Sequence, residues 1–138
     1  MAYTPNAVVL EGFPFGMFTF TYELSGITAT DEAAAATLGK AVALDTSAPG
    51  TVKLAGDGDA IIGRIYHAEN RAVQALMTAA VARKFKERLP AASGHGIEVG
   101  DRIVGAGNGL VKAAADNTDT TMPLVIATGD EFVIAEYL

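Results

Sequence analysis

Between residues 39 and 60 the chain reads GKAVALDTSAPGTVKLAGDGDA, and its apolar positions come in short alternating bursts. Val42 and Leu44 alternate with small or polar neighbours, and residues 47–50 (SAPG) stop the run. Val52 and Leu54 then alternate again until residues 56–59 (GDGD) stop it a second time. Period-two alternation cut by Gly, Pro, Asp and Ser predicts short strands joined by turns, the pattern of a small all-β barrel or sandwich. The C-terminal half repeats it. Strands are expected over residues 97–104 and 110–113 around GAGNG, where Asn108-Gly109 suits a type I′ hairpin turn because both central residues need positive φ. Residues 124–127 and 131–137 flank Thr128-Gly129-Asp130 as a last hairpin. Residues 30–39 (TDEAAAATLG) break the pattern with a short helix, which Thr30 can cap and Gly39 can end.

Two segments are ambiguous from pattern alone. Residues 71–89 (RAVQALMTAAVARKFKERL) have helix-forming composition, and Val73, Met77, Val81 and Phe85 recur every four residues. Period two fits as well, placing Val73, Ala75, Met77, Ala79, Val81 and Phe85 on one face, with Gln74, Thr78, Lys84, Lys86 and Arg88 on the other. Near the N-terminus, Phe13, Phe15, Phe18 and Phe20 are four of the six phenylalanines. Phe18, Phe20 and Tyr22 would share a strand face, with Thr19, Thr21 and Glu23 opposite. That face either closes the core or belongs to a terminal arm that docks on a neighbouring subunit or lattice.

Length and composition narrow the classes. A chain of 138 residues with 50% hydrophobic and 19% charged residues is expected to form one domain. Its apolar content favours nonpolar surface kept for partners. A net charge of −6 argues against binding a phosphate backbone, since Arg83, Lys84, Lys86 and Arg88 form the one basic group. The absence of cysteine excludes disulfides and thiolate metal sites. The longest apolar run, residues 72–82, falls short of the ~20 residues a membrane span requires. The first residues lack a signal-peptide pattern, so a soluble protein made in the cytoplasm is expected.

Several motifs, taken together, resemble those of the head decoration, or capsid cement, proteins of tailed bacteriophages. They are G-K-A-V-x-L-D from Gly39, T-V-K-L from Thr51, D-G-D-A-I-I-G from Asp57, L-P-A-A-S-G from Leu89, V-G-D-R-I-V-G-A-G-N-G from Val99 and V-K-A-A from Val111. The likeness runs from about Gly39 to the C-terminus, and its motifs are structural. It implies a single all-β domain of short antiparallel strands; the residue pattern itself divides the chain into residues 1–26, an N-terminal arm and first strand, and residues 27–138, the β-domain. The resemblance also implies that the segment before Leu89-Pro90 is a long strand. Its functional implication is a virion protein on the outer capsid surface, made in the host cytoplasm. Such a protein binds the major capsid protein lattice and itself, as a trimer or alternatively a dimer, with no catalysis and no cofactor. The rival readings are a tail or baseplate component, a carbohydrate-binding β-domain, or a small β-barrel enzyme.

Candidate chemistry is sparse. The glycines at 105, 107 and 109 lack a following helix pattern and a GK[ST] sequence, so they suit a turn better than a phosphate loop. Asp57-Gly58-Asp59 and the tract Asp116-Asn117-Thr118-Asp119 carry oxygens that calcium would accept, but neither continues to the closing Glu of an EF-hand loop. His67 and His95 accompany no nucleophile motif, and Glu11 with Glu23 is no more than a pair of charges on strands. For protein contacts, the aromatic content of the N-terminal segment points to Tyr3, Asn6, Phe13, Phe15 and Phe18. The basic cluster Arg83, Lys84, Lys86 and Arg88 would pair with acidic groups on a partner.

Overall fold

The computed structural model describes residues 18–74 and 76–137, and the alternating bursts appear there as strands. In chain order these are β1 (Phe18–Leu24), a short helix α1 (Asp31–Ala36), β2 (Ala41–Leu44), β3 (Thr51–Leu54) and β4 (Gly63–Arg71). A 3₁₀ turn (Ala72–Gln74) leads into β5 (Leu76–Pro90), followed by β6 (Ile103–Gly107), β7 (Leu110–Ala113), β8 (Leu124–Thr128) and β9 (Phe132–Tyr137). Seven strands form one sheet in the order β1-β3-β2-β4-β5-β9-β8, and β6 with β7 forms a second, two-stranded sheet.

Because β1 also pairs with β5, strands β1, β3, β2, β4 and β5 close into a ring. Leu24, Val42, Val52, Ile65, Met77, Ala79 and Val81 fill it, and Ala34 of α1 packs against the same cluster. The other side of β2 and the far half of β5 build a second core with β6 to β9, containing Ala41, Ala43, Phe85, Leu89, Ile103, Val111, Val125 and Val133. β2 is therefore covered on both faces, and three successive residues, Ala41, Val42 and Ala43, are all buried. At Gly63 a side chain would collide with Val81 and the Ala82 carbonyl, so only glycine allows β4 to lie this close to β5.

The long strand β5 joins the two cores. Its register against β1 slips between Phe18↔Lys84 and Thr19↔Ala82, so Arg83 is an extra residue. This bulge corrects the single apolar face expected for residues 73–85. Met77, Ala79 and Val81 face the ring, whereas Phe85 joins Ala82 and Leu89 in the second core. Val73 lies in the 3₁₀ turn and is fully exposed, outside both cores.

Three further expectations are corrected. The strands are not all antiparallel, since β1 runs parallel to β3. Residues 97–102 hold a turn in place of a strand: Gly100 has φ +95, and Asp101 Oδ2 accepts the Glu98 N–H at 2.9 Å. Phe20 does not seal the core and stays 56% exposed, while Tyr22 on the same face packs on the ring cluster. Other local signals read as expected. Thr30 Oγ1 caps α1 by accepting the Ala33 N–H, Gly39 has φ +78, and Asn108 and Gly109 have φ +52 and +75 in the β6–β7 turn.

Candidate functional site

Beyond the bulge, β5 turns Lys84, Lys86 and Arg88 to the face opposite Phe85 and Leu89. Lys84 and Arg88 are exposed and Lys86 is half-buried. Lys86 lies opposite Glu136 of β9, and the Arg88 guanidinium sits 4.3 Å above the Phe132 ring in a cation–π contact. Arg83, at the bulge, has a different task. Its Nε donates to the Ile62 carbonyl at 2.9 Å and its Nη1 to the Tyr22 hydroxyl at 2.9 Å, tying β5 to β1 and the approach to β4.

The stripe ends at a recess of about 240 Å³ between the β8–β9 hairpin, the end of β5 and the segment after α1. Lys40, Arg64 and Arg88 bring three cations to its lining, with Glu131 as the acid, and Leu38, Pro90 and Phe132 supply apolar wall. Leu38 is 49% exposed. Arg64 is held in place: its Nε donates to the Arg88 carbonyl at 2.7 Å, and its guanidinium rests where a side chain on Gly39 would lie, with Nη2 3.2 Å from that Cβ position. Cations beside apolar wall suit a carboxylate carried on an apolar or aromatic segment.

Of the residues expected to make contacts, Lys84, Lys86 and Arg88 share one face, and Arg83 points elsewhere. Phe18 begins β1 opposite Lys84. Tyr3, Asn6, Phe13 and Phe15 lie outside the described residues. Sequence reasoning missed Lys40 and Arg64, because each stands alone among uncharged neighbours and reaches the recess only through the pairing of β2 with β4 and of β4 with β5.

The groups considered for catalysis or metal binding are used internally. Asp59 Oδ2 accepts the Gly56 N–H at 2.9 Å and lies 3.3 Å from Lys53 Nζ, while Asp57 pairs with Lys112 at 2.6 Å. Asp116 and Asp119 each accept the backbone N–H and hydroxyl of the threonine two residues on, Thr118 and Thr121, and those bonds hold both carboxyls below their usual range. Among the described residues, no three His, Cys, Asp or Glu side chains gather as a metal site would require. His95 joins two loops: its Nδ1 accepts the Ile97 N–H at 2.9 Å, which leaves Nε2–H to donate to the Gly129 carbonyl at 2.7 Å. His67 is exposed on β4 and Glu23 on β1, while Glu11, the other acid considered with Glu23, lies outside the described residues. No helix among the described residues is long and apolar enough to cross a membrane.

Neither the models of known protein families nor the curated protein sequences contain a match to this chain.

Proposed function

We propose that this protein binds the outer surface of a tailed-phage capsid and holds neighbouring major capsid proteins together. The observation that carries the reading is the set of motifs resembling head decoration proteins, and its distribution over the scaffold supports it. Thr51-Val52-Lys53-Leu54 is β3, Gly105 to Gly109 forms the end of β6 and its turn, and Val111-Lys112-Ala113 lies in β7. The motifs that carry the resemblance are thus also strands and a turn of the double-cored all-β domain.

The work required is adhesive. On a chain of net charge −6, the row of Lys84, half-buried Lys86 and Arg88 is a local region of opposite sign, suited to orienting the domain against acidic groups on a shell. The N-terminal residues Tyr3, Asn6, Phe13, Phe15 and Phe18 supply further contact. Interfaces of ~800 Å² per partner, repeated in a trimer and again over the lattice, make a durable clamp from modest individual contacts.

The reading is tested by co-sedimentation of the purified chain with empty capsids of the phage that encodes it, before and after shell expansion. Saturable binding at a fixed ratio to the major capsid protein, weakened by Lys84→Glu with Lys86→Glu, is the expected result. Absence of binding to either form would refute the proposal.

A further inference from the structure

The chain holds four asparagines, and Asn108 is the one followed by glycine; Asn6, Asn70 and Asn117 precede Ala7, Arg71 and Thr118. Asn-Gly is chemically the least protected of these pairs, because glycine has no Cβ to hinder attack by its own nitrogen on the neighbouring carboxamide. In that reaction the Gly109 nitrogen bonds to Asn108 Cγ, the Cγ–Nδ2 bond breaks, and ammonia leaves with the proton given up by the Gly109 amide. One water then opens the cyclic imide, leaving an aspartyl or an isoaspartyl residue at position 108. The fold lays the carboxamide open and ties the nitrogen down. Asn108 is exposed, whereas Gly109 is buried, its N–H donating to the Ala55 carbonyl at 3.1 Å and its carbonyl accepting the Ala41 N–H at 3.0 Å. Lys40 Cβ lies 2.7 Å from where a Cβ on Gly109 would stand, so turning this peptide towards Asn108 Cγ means parting the turn from β2.

We propose that Asn108 is a deamidation site kept shut by the β6–β7 turn: its amide is lost in molecules whose turn has lifted from β2 and the end of β3, at a rate set by how often it lifts. The isoaspartyl product routes the backbone through the former side chain and adds a methylene ahead of Gly109. The native turn needs φ +52 and +75 at these two positions, so the lengthened chain cannot return both Gly109 bonds to Ala55 and Ala41. A lifted turn that reacts therefore stays lifted, and the β6–β7 turn becomes the place where opening of the folded domain turns irreversible. This inference does not depend on the capsid reading, because it concerns the isolated chain.

Trypsin releases residues 103–112 (IVGAGNGLVK) between Arg102 and Lys112, with Asn108 as the sole asparagine of that peptide. The full-length protein is incubated at neutral pH, folded or in denaturing urea, and mass spectrometry follows the conversion of amide to carboxyl, with the peptides carrying Asn70 and Asn117 as slower references. Deamidation at Asn108 should be roughly ten-fold or more slower in the folded protein than in urea. Val111→Ala, which removes buried bulk from β7, should speed it several-fold in the folded state without changing the rate in urea. Circular dichroism confirms that the variant is folded, and urea below the parent's unfolding midpoint should give the same acceleration without any substitution. Isoaspartyl protein, separated by ion exchange, should unfold at a lower urea midpoint than the parent. Three results would overturn the proposal: equal rates in folded and denatured chains, a folded-state rate indifferent both to Val111→Ala and to sub-denaturing urea, or isoaspartyl protein with the parent's midpoint.

Discussion

Ser25 Oγ donates to Asp45 Oδ2 at 2.6 Å, joining the residue after β1 to the residue after β2 across 20 positions of sequence. Asp45 also accepts the backbone N–H and hydroxyl of Ser47 at 3.0 and 2.6 Å. The bond from Ser25, followed by those from Ser47, lowers the Asp45 carboxyl from 3.8 to about 2. These bonds favour the charged form, so their contribution to stability is complete above about pH 4 and is lost as the pH falls towards 2. Denaturant midpoints measured from pH 5 to pH 2 should therefore decline, and Asp45→Asn should flatten that decline. An unchanged slope in the variant would show that other carboxylates govern the acid limb.

Gly109 is the most exacting turn position. Its φ is +75, and a Cβ there would lie 2.7 Å from Lys40 Cβ and 3.2 Å from the Ala41 carbonyl. Its N–H donates to Ala55 and its carbonyl accepts from Ala41, at 3.1 and 3.0 Å, so the β6–β7 turn is wedged against β2 and the end of β3. Gly109→Val combines backbone strain with a clash and should cost more than ~1 kcal/mol, read as a lower midpoint in denaturant. Asn108→Gly, which relaxes φ without adding volume, should leave the midpoint nearly unchanged.

Two truncations separate scaffold from contact. Removal of residues 1–17 leaves β1 intact and should give a folded domain by circular dichroism, with sharply reduced capsid binding. Removal of residues 1–24 deletes β1, opens the ring and exposes Val52, Ile65 and Val81, so that protein should aggregate. Full decoration of capsids by the shorter truncation would move the contact surface to Lys84, Lys86 and Arg88.

Chelation provides a fourth check. The carboxylates of Asp57, Asp59, Asp116 and Asp119 are bound to lysines, backbone N–H groups and threonine hydroxyls within the chain. Adding EDTA should leave the melting temperature unchanged. A drop of several degrees that calcium reverses would identify a ligand set among them.

Local physics was readable from the sequence wherever one residue dictates the backbone. Thr30 and Gly39 bracket α1, Asn108-Gly109 makes the β6–β7 turn, and the alternation at Val42, Val52 and Leu54 gives β2 and β3, because caps, positive φ and period-two faces are properties of a few neighbouring residues. The all-β class followed from their succession. The partition into two cores did not. It depends on β1 pairing with both β3 and β5 and on the bulge at Arg83, which moves Phe85 to the face opposite Val81. A one-residue slip leaves the composition of the segment unchanged while exchanging its faces. The recess was equally hidden: Lys40, Arg64 and Arg88 are 24 residues or more apart along the chain, and only strand pairing makes them neighbours. Sequence determined the short strands β2 and β3, the ends of α1, the Asn108-Gly109 turn and the overall charge; tertiary structure decided which faces meet, because side chains distant in sequence come together only once the backbone hydrogen bonds between strands have set the register.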